Sequence, residues 1–195
     1  MINFVNLFQD PSEFGREISK LKKINVYLTV TLICTVTLIL QQIYDVTYMD
    51  EPVRSWATLL SVSVLGGFIF PYIKAYTTHF GLRLMRVNNY EKVFNIAVTS
   101  FGLVQIYSIF SYVYVLSGLL NFESWGLYAL ASVGLLHGYI IEVFGLKTVL
   151  KTSWVKAIVA PFLIMSMIFI VLGIILVASM ILLGLTLPSL DLTGI

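Results

Sequence analysis

The chain has 195 residues, of which only 12 are Lys or Arg and 10 are Asp or Glu, while 58% are hydrophobic. Five windows hold no charged residue at all: 24–44, 55–73, 93–122, 124–141 and 157–190. A soluble domain needs a wet face on every element, so this distribution excludes one; the single cysteine excludes a secreted disulfide scaffold, and a net charge of +2 excludes a nucleic-acid binder.

Residues 1–23 read as an N-terminal cytoplasmic, interfacial segment. Asp10-Pro11-Ser12-Glu13 is a helix start, with Asp10 as cap, Pro11 at the first helical position and Glu13 at the capping-box position. Phe14, Ile18 and Leu21 recur at spacings of four and three and make one apolar stripe, with Arg16, Lys20 and Lys23 off it. The pattern predicts a short amphipathic helix on the inner leaflet; the plainer reading is a positive flank that orients the first span.

A hydrocarbon core of ~30 Å takes ~20 helical residues to cross, and unpaired amides are not tolerated in lipid, so each charge-free window should be a helix. The run 168–177 does not alternate, which sets aside an outer-membrane barrel. The predicted fold class is all-α: a polytopic membrane bundle of five transmembrane helices at 24–43, 55–76, 93–118, 125–147 and 158–184. They make up a domain over 24–187, and 188–195 is a short external tail.

In chain order, the first span is too long for a cleavable signal and lacks a small-residue cleavage site. Cys34 within it reads as an inert, small apolar residue. In the second, Gly66, Gly67 and Pro71 permit a kink, and His79 follows at the inner interface. Residues 93–141 contain one charge, Glu123, and must be divided: Ser117-Gly118 supplies a stop and Asn121-Phe122-Glu123-Ser124 a start. In the last span, Pro161 is expected in the first turn and Pro188 at the end.

Candidate chemistry lies in the third and fourth spans. Gln105, Ser108 and Tyr112 share one helical face. His137 lies ten residues before Lys147, ~15 Å from the inner boundary. Such an ionisable group is a candidate for proton or ligand chemistry, or else a hydrogen-bonded packing residue. Gln105 sits at similar depth, so the two are expected to pair. Glu142, the carboxylate within a span, reads either as a boundary group offset by Lys147 or another inner-loop base, or as an ion or partner contact. Gly134 and Gly138 form a small-xxx-small pattern that suits packing within the chain or a homodimer face.

Basic residues set the orientation. Eleven of the twelve fall on one side of a five-span model: Arg16, Lys20, Lys22, Lys23, Lys74, Arg83, Arg86, Lys92, Lys147, Lys151 and Lys156. Arg54 is the twelfth. By the positive-inside rule this side is cytoplasmic, so the N-terminus is inside and the C-terminus outside. The same residues form a candidate surface for the anionic inner leaflet, and a protein partner or a second copy is the other kind of contact considered. No metal helix, nucleophile turn, phosphate loop or Cys/His cluster is present, so no enzyme, metal or cofactor is expected.

The plan resembles the Yip1 domain family, with five spans, a cytoplasmic N-terminus and an external C-terminus. Asp10-Pro11-Ser12-Glu13-Phe14-Gly15-Arg16-Glu17-Ile18 resembles the lead-in of prokaryotic members, Arg83-Leu84-Met85-Arg86-Val87-Asn88-Asn89-Tyr90-Glu91-Lys92-Val93-Phe94 their second loop, and Gly145-Leu146-Lys147 with Trp154-Val155-Lys156-Ala157 their fourth. The long N-terminal domain and the acidic-Leu-Tyr-Gly-Pro motif of eukaryotic members are absent, as is the proline often seen in the third span. The resemblance implies a non-enzymatic membrane protein of a prokaryotic plasma membrane, acting in membrane organisation, trafficking-type or export-accessory interactions. The alternative is a small transporter or channel component lined by Gln105 and His137.

Overall fold

A computed structural model of the chain describes residues 6–48, 56–118 and 125–182. These residues form seven helices and no strand: α1 (Asn6–Gln9), α2 (Pro11–Ile18), α3 (Lys23–Tyr48), α4 (Trp56–Leu84), α5 (Tyr90–Leu116), α6 (Trp125–Val149) and α7 (Trp154–Leu182). The predicted turn at 121–124, the tail 188–195 with Pro188, and Arg54 lie outside the described residues.

Among the described residues, four helices are long and apolar enough to cross a membrane: Lys23–Tyr48, Trp56–Leu84, Tyr90–Leu116 and, within α6, Tyr128–Val149. What they present outward is also apolar; on α4, Leu65, Phe68, Ile69 and Ile73 are all exposed. A surface of this kind is compatible with an integral membrane protein, because lipid tails replace the water that such side chains avoid.

Helices α4, α5, α6 and α7 close into a ring, each packing on the next and α7 returning to α4. One core cluster takes residues from all four: Leu82 of α4, Val93 and Ile96 of α5, Val143 and Leu146 of α6, and Ala157 and Ala160 of α7. Helix α3 lies outside the ring in the groove between α4 and α5. There Val26, Val30 and Cys34 pack on Ala75, Phe94, Ala97 and Val98. Helix α5 is thus covered on every side near its start, and residues 93–98 are all buried.

Small residues set the close approaches. A Cβ on Gly81 would collide with the backbone carbonyl of Ala160, and one on Gly138 would lie 2.7 Å from Ser100 O. Two prolines interrupt helices in mid-course, Pro71 in α4 and Pro161 in α7. A proline withholds an amide and loosens the preceding turn. In both places a tyrosine from a neighbouring helix donates to the carbonyl three residues earlier: Tyr27 Oη to Phe68 O at 2.7 Å and Tyr139 Oη to Ile158 O at 2.9 Å.

Two expectations need correction. Pro161 lies well inside α7, which begins at Trp154, so it is not in the first turn. Helix α4 continues to Leu84, beyond the expected end at 76. Lys74, counted with the loop bases for orientation, lies well inside this helix, where lysine is a good helix former.

Helix α2 forms where the sequence predicts a helix. Asp10 caps it as expected, Oδ1 accepting Ser12 N at 3.1 Å and Glu13 N at 3.0 Å. Its apolar stripe, however, is spent on protein: Phe14 and Ile18 are buried with Leu7 against Leu103 of α5 and Ile141 of α6. Gly15 faces Gly145 of α6, where a Cβ would come within 2.5 Å of the opposite Cα. Asn95 of α5 closes the far end, Nδ2 donating to Ile18 O and Leu21 O at 3.3 and 2.9 Å. Two backbones in contact and a buried amide on its last carbonyls hold α2 to the bundle.

Candidate functional site

The polar centre of the ring is built on Glu142. This residue is 2% exposed, and its two oxygens have different partners on α4. Oε2 pairs with Lys74 Nζ at 2.8 Å. Oε1 accepts Thr78 Oγ1–H at 2.9 Å. Lys74 and Thr78 are four residues apart and share one face of α4, so one helix supplies both groups across the ring. A buried charge is tolerated only when paired and hydrogen-bonded, and both conditions hold. The partner is Lys74 rather than Lys147, whose ammonium lies 5.3 Å from the Trp154 ring centre.

An apolar groove of about 480 Å³ leads away from this pair. Its walls include Phe101 and Val104 of α5, Leu135 and Leu136 of α6, and Phe162 of α7, with Lys74, Glu142 and Ser100 as polar lining. From Glu142 to Leu135 the groove extends ~10 Å along α6 at 1.5 Å per residue. Leu135 and Leu136 are exposed, so its side opens to the outside of the bundle.

His137 points elsewhere. Its Nδ1 lies 3.0 Å from Tyr107 Oη and its Nε2 3.3 Å from Leu7 O. A carbonyl can only accept, so Nε2 carries the proton and Nδ1 accepts the tyrosine hydroxyl. Phe8 covers the ring at 5.0 Å between centres. The residue thus holds α1 to the bundle, and both nitrogens are used.

Gln105 is not its partner. Residues 105 and 107 lie ~200° apart around a helix, so when Tyr107 faces α6, Gln105 cannot. The Gln105 backbone carbonyl instead accepts Thr37 Oγ1 of α3 at 3.3 Å. Tyr112 stacks near Tyr44 of α3, 5.7 Å between centres, and Ser108 Oγ donates to Val104 O of its own helix. The five candidate polar residues therefore separate: Gln105 and Tyr112 belong to the α3–α5 contact, Ser108 bonds its own helix, His137 binds α1, and Glu142 alone lies on the groove.

Gly134 and Gly138 face α5. A Cβ on Gly134 would lie 2.6 Å from Tyr107 Cβ, so the small-residue pattern packs within the chain rather than forming a homodimer face. Of the eleven bases, four have structural work. Lys23 sits over Tyr90 and Phe94 at 4.4 and 4.3 Å, Lys74 pairs with Glu142, Lys147 covers Trp154, and Lys156 Nζ donates to Met85 O at 2.8 Å. Arg16, Lys20, Lys22, Arg83, Arg86, Lys92 and Lys151 are exposed. They gather at the end where α2, α4 and α6 finish and α3 and α5 begin. Arg86 and Lys151 adopt left-handed backbone, φ 62° and 51°, where the chain turns after α4 and α6.

Lys74 is one of the inner-side bases that the sequence offered to offset Glu142; Thr78, Asn95 and Tyr107 were missed. Each is polar and lies in or beside a long apolar run, which is the signal that could have found them. Among the described residues no group of three His, Cys, Asp or Glu could hold a metal ion. No protein-family model, curated protein or solved structure matches the chain.

Proposed function

We propose that the chain is a five-span integral membrane protein of Yip1 type, in a prokaryotic plasma membrane. Its basic end faces the cytoplasm and organises anionic lipid headgroups there. The fifth crossing is α7, a 29-residue helix without a charge after Lys156. The observation that carries the reading is the segregation of seven exposed bases at one end of the bundle. Each Lys or Arg near an anionic surface contributes ~1 kcal/mol. The remaining four bases hold the scaffold that presents them. The absence of a catalytic motif in the sequence supports a non-enzymatic role. A polar pathway through Gln105 and His137 has less support, because these residues face different neighbours and His137 is closed off by Tyr107 and Leu7.

The test uses the full chain in neutral detergent micelles. Added phosphatidylglycerol should raise its melting temperature more than phosphatidylcholine does, and salt should shrink the difference. Arg83→Gln, Arg86→Gln, Lys92→Gln and Lys151→Gln together remove four of the seven exposed bases and should cut the difference by about half or more while leaving the melting temperature without lipid near wild type. Equal stabilisation of the wild type by both lipids would contradict the reading.

A further inference from the structure

The groove between α5, α6 and α7 is independent of the basic end, and its chemistry is unusual for a gap between helices. Most of its lining is hydrocarbon. Its polar end carries a complete ion pair, Lys74 with Glu142. Ligand pockets span ~300–1,000 Å³, with apolar walls and a few placed polar groups. At about 480 Å³ this groove is of that kind.

The hydrogen bonds left over define what would fit. Glu142 already accepts from Lys74 and from Thr78. Ser100 Oγ has donated its proton to Ala97 O at 2.9 Å, and Tyr139 Oη has donated to Ile158 O. Lys74 Nζ has three donors and meets a single carboxylate oxygen within ion-pair distance. Its side chain, 25% exposed, lines the groove. The donors left over at the polar end are therefore the Lys74 N–H groups, and the group that takes one is an acceptor. Charge narrows the choice further. Lys74 and Glu142 already sum to zero, so an anionic or a cationic headgroup would add a net charge in a low-dielectric site. An uncharged carbonyl takes one of the remaining N–H groups and leaves the ion pair whole.

We infer that the groove binds a lipophilic molecule whose chain lies between Phe101, Val104, Leu135 and Phe162 and whose polar end is an uncharged carbonyl donated to by Lys74. The exposed flank at Leu135 and Leu136 gives it a lateral way in. An acyl ester and an isoprenoid quinone share this chemistry.

Three photoactivatable probes of equal chain length test it on the purified full chain in detergent: a long-chain methyl ester, the free carboxylate and the plain alkane. Labelled peptides are located by mass spectrometry. The ester should label the α5 and α6 peptides that wall the groove about ten-fold more efficiently than the alkane, the worth of one charge-assisted hydrogen bond. The carboxylate should not exceed the ester. Leu135→Trp should reduce ester labelling by narrowing the mouth. Lys74→Met with Glu142→Met, an apolar replacement of the whole pair, should label with ester and alkane alike. If that double variant does not fold, the three-probe comparison on the wild type still decides. Displacement of the ester by diacylglycerol or by an isoprenoid quinone supports the inference, and the better competitor identifies the source. Equal labelling by alkane and ester, stronger labelling by the carboxylate, labelling away from the groove, or displacement by neither competitor would overturn it.

Discussion

Glu142 and His137 are both ionisable, both on α6 and five residues apart, yet their surroundings differ in kind. Five residues turn ~140° around a helix, so one faces into the ring and the other toward α1 and α5. Glu142 meets a charge and a hydroxyl from across the ring and lies beside an open groove. His137 meets a neutral hydroxyl and a backbone carbonyl, with Phe8 over its ring. The sequence singled out His137 for its depth and left it as either chemistry or a hydrogen-bonded packing residue; hydrogen-bond partners on two neighbouring helices make it the second. The difference teaches that depth marks a residue for attention, while its partners decide whether it is chemistry or a fastener.

The largest effect should come from breaking the Glu142 side of this comparison. Lys74→Met leaves a buried carboxylate unpaired and should destabilise the bundle by ~3–5 kcal/mol, whereas Lys74→Met with Glu142→Met should return to within ~1 kcal/mol of wild type. Thermal unfolding in micelles reads both. Equal losses in the single and double variants would show that the two side chains act independently.

A smaller effect is expected on the His137 side. Gly15→Leu drives a side chain into the Gly145 backbone and should cost ~1–3 kcal/mol, the usual range for overpacking. Its signature is local: hydrogen exchange should quicken across α1 and α2 while the Lys74–Glu142 region stays protected. Uniform change along the chain would mean that α2 is not a separate latch. Smallest of all, Tyr107→Phe removes one hydrogen bond from His137 and should cost only ~0.6 kcal/mol, the average for polar contacts between membrane helices. A loss of several kcal/mol would make His137 more than a fastener.

Much of the helical plan was legible because lipid-crossing helices announce themselves by uninterrupted apolar runs. The Asp10 cap and the Ser117-Gly118 stop were legible because caps are local; α5 does end at Leu116, and Gly118 has φ 67°. Which face meets which neighbour was not. In α4 to α7 apolar residues surround the helix, so periodicity does not single out an inner face. Lys74 was therefore counted with the loops, and Gln105 was matched to His137 by depth alone. The docking of α2 escaped notice for a different reason. Its stripe of Phe14 and Ile18 suits a lipid surface as well as a protein one, and only the Gly15–Gly145 approach separates the two.

The central claim is that a basic cytoplasmic end and an external end are separated by five crossings. Single-cysteine labelling with an impermeant maleimide, in a Cys34→Ala background, tests it most directly when combined with a reporter fused at the C-terminal end. The account predicts that Arg86→Cys and Lys151→Cys react only from the cytoplasmic side, and that Ser117→Cys and the C-terminal reporter are accessible only from outside. A C-terminal reporter found on the same side as Arg86→Cys would contradict it.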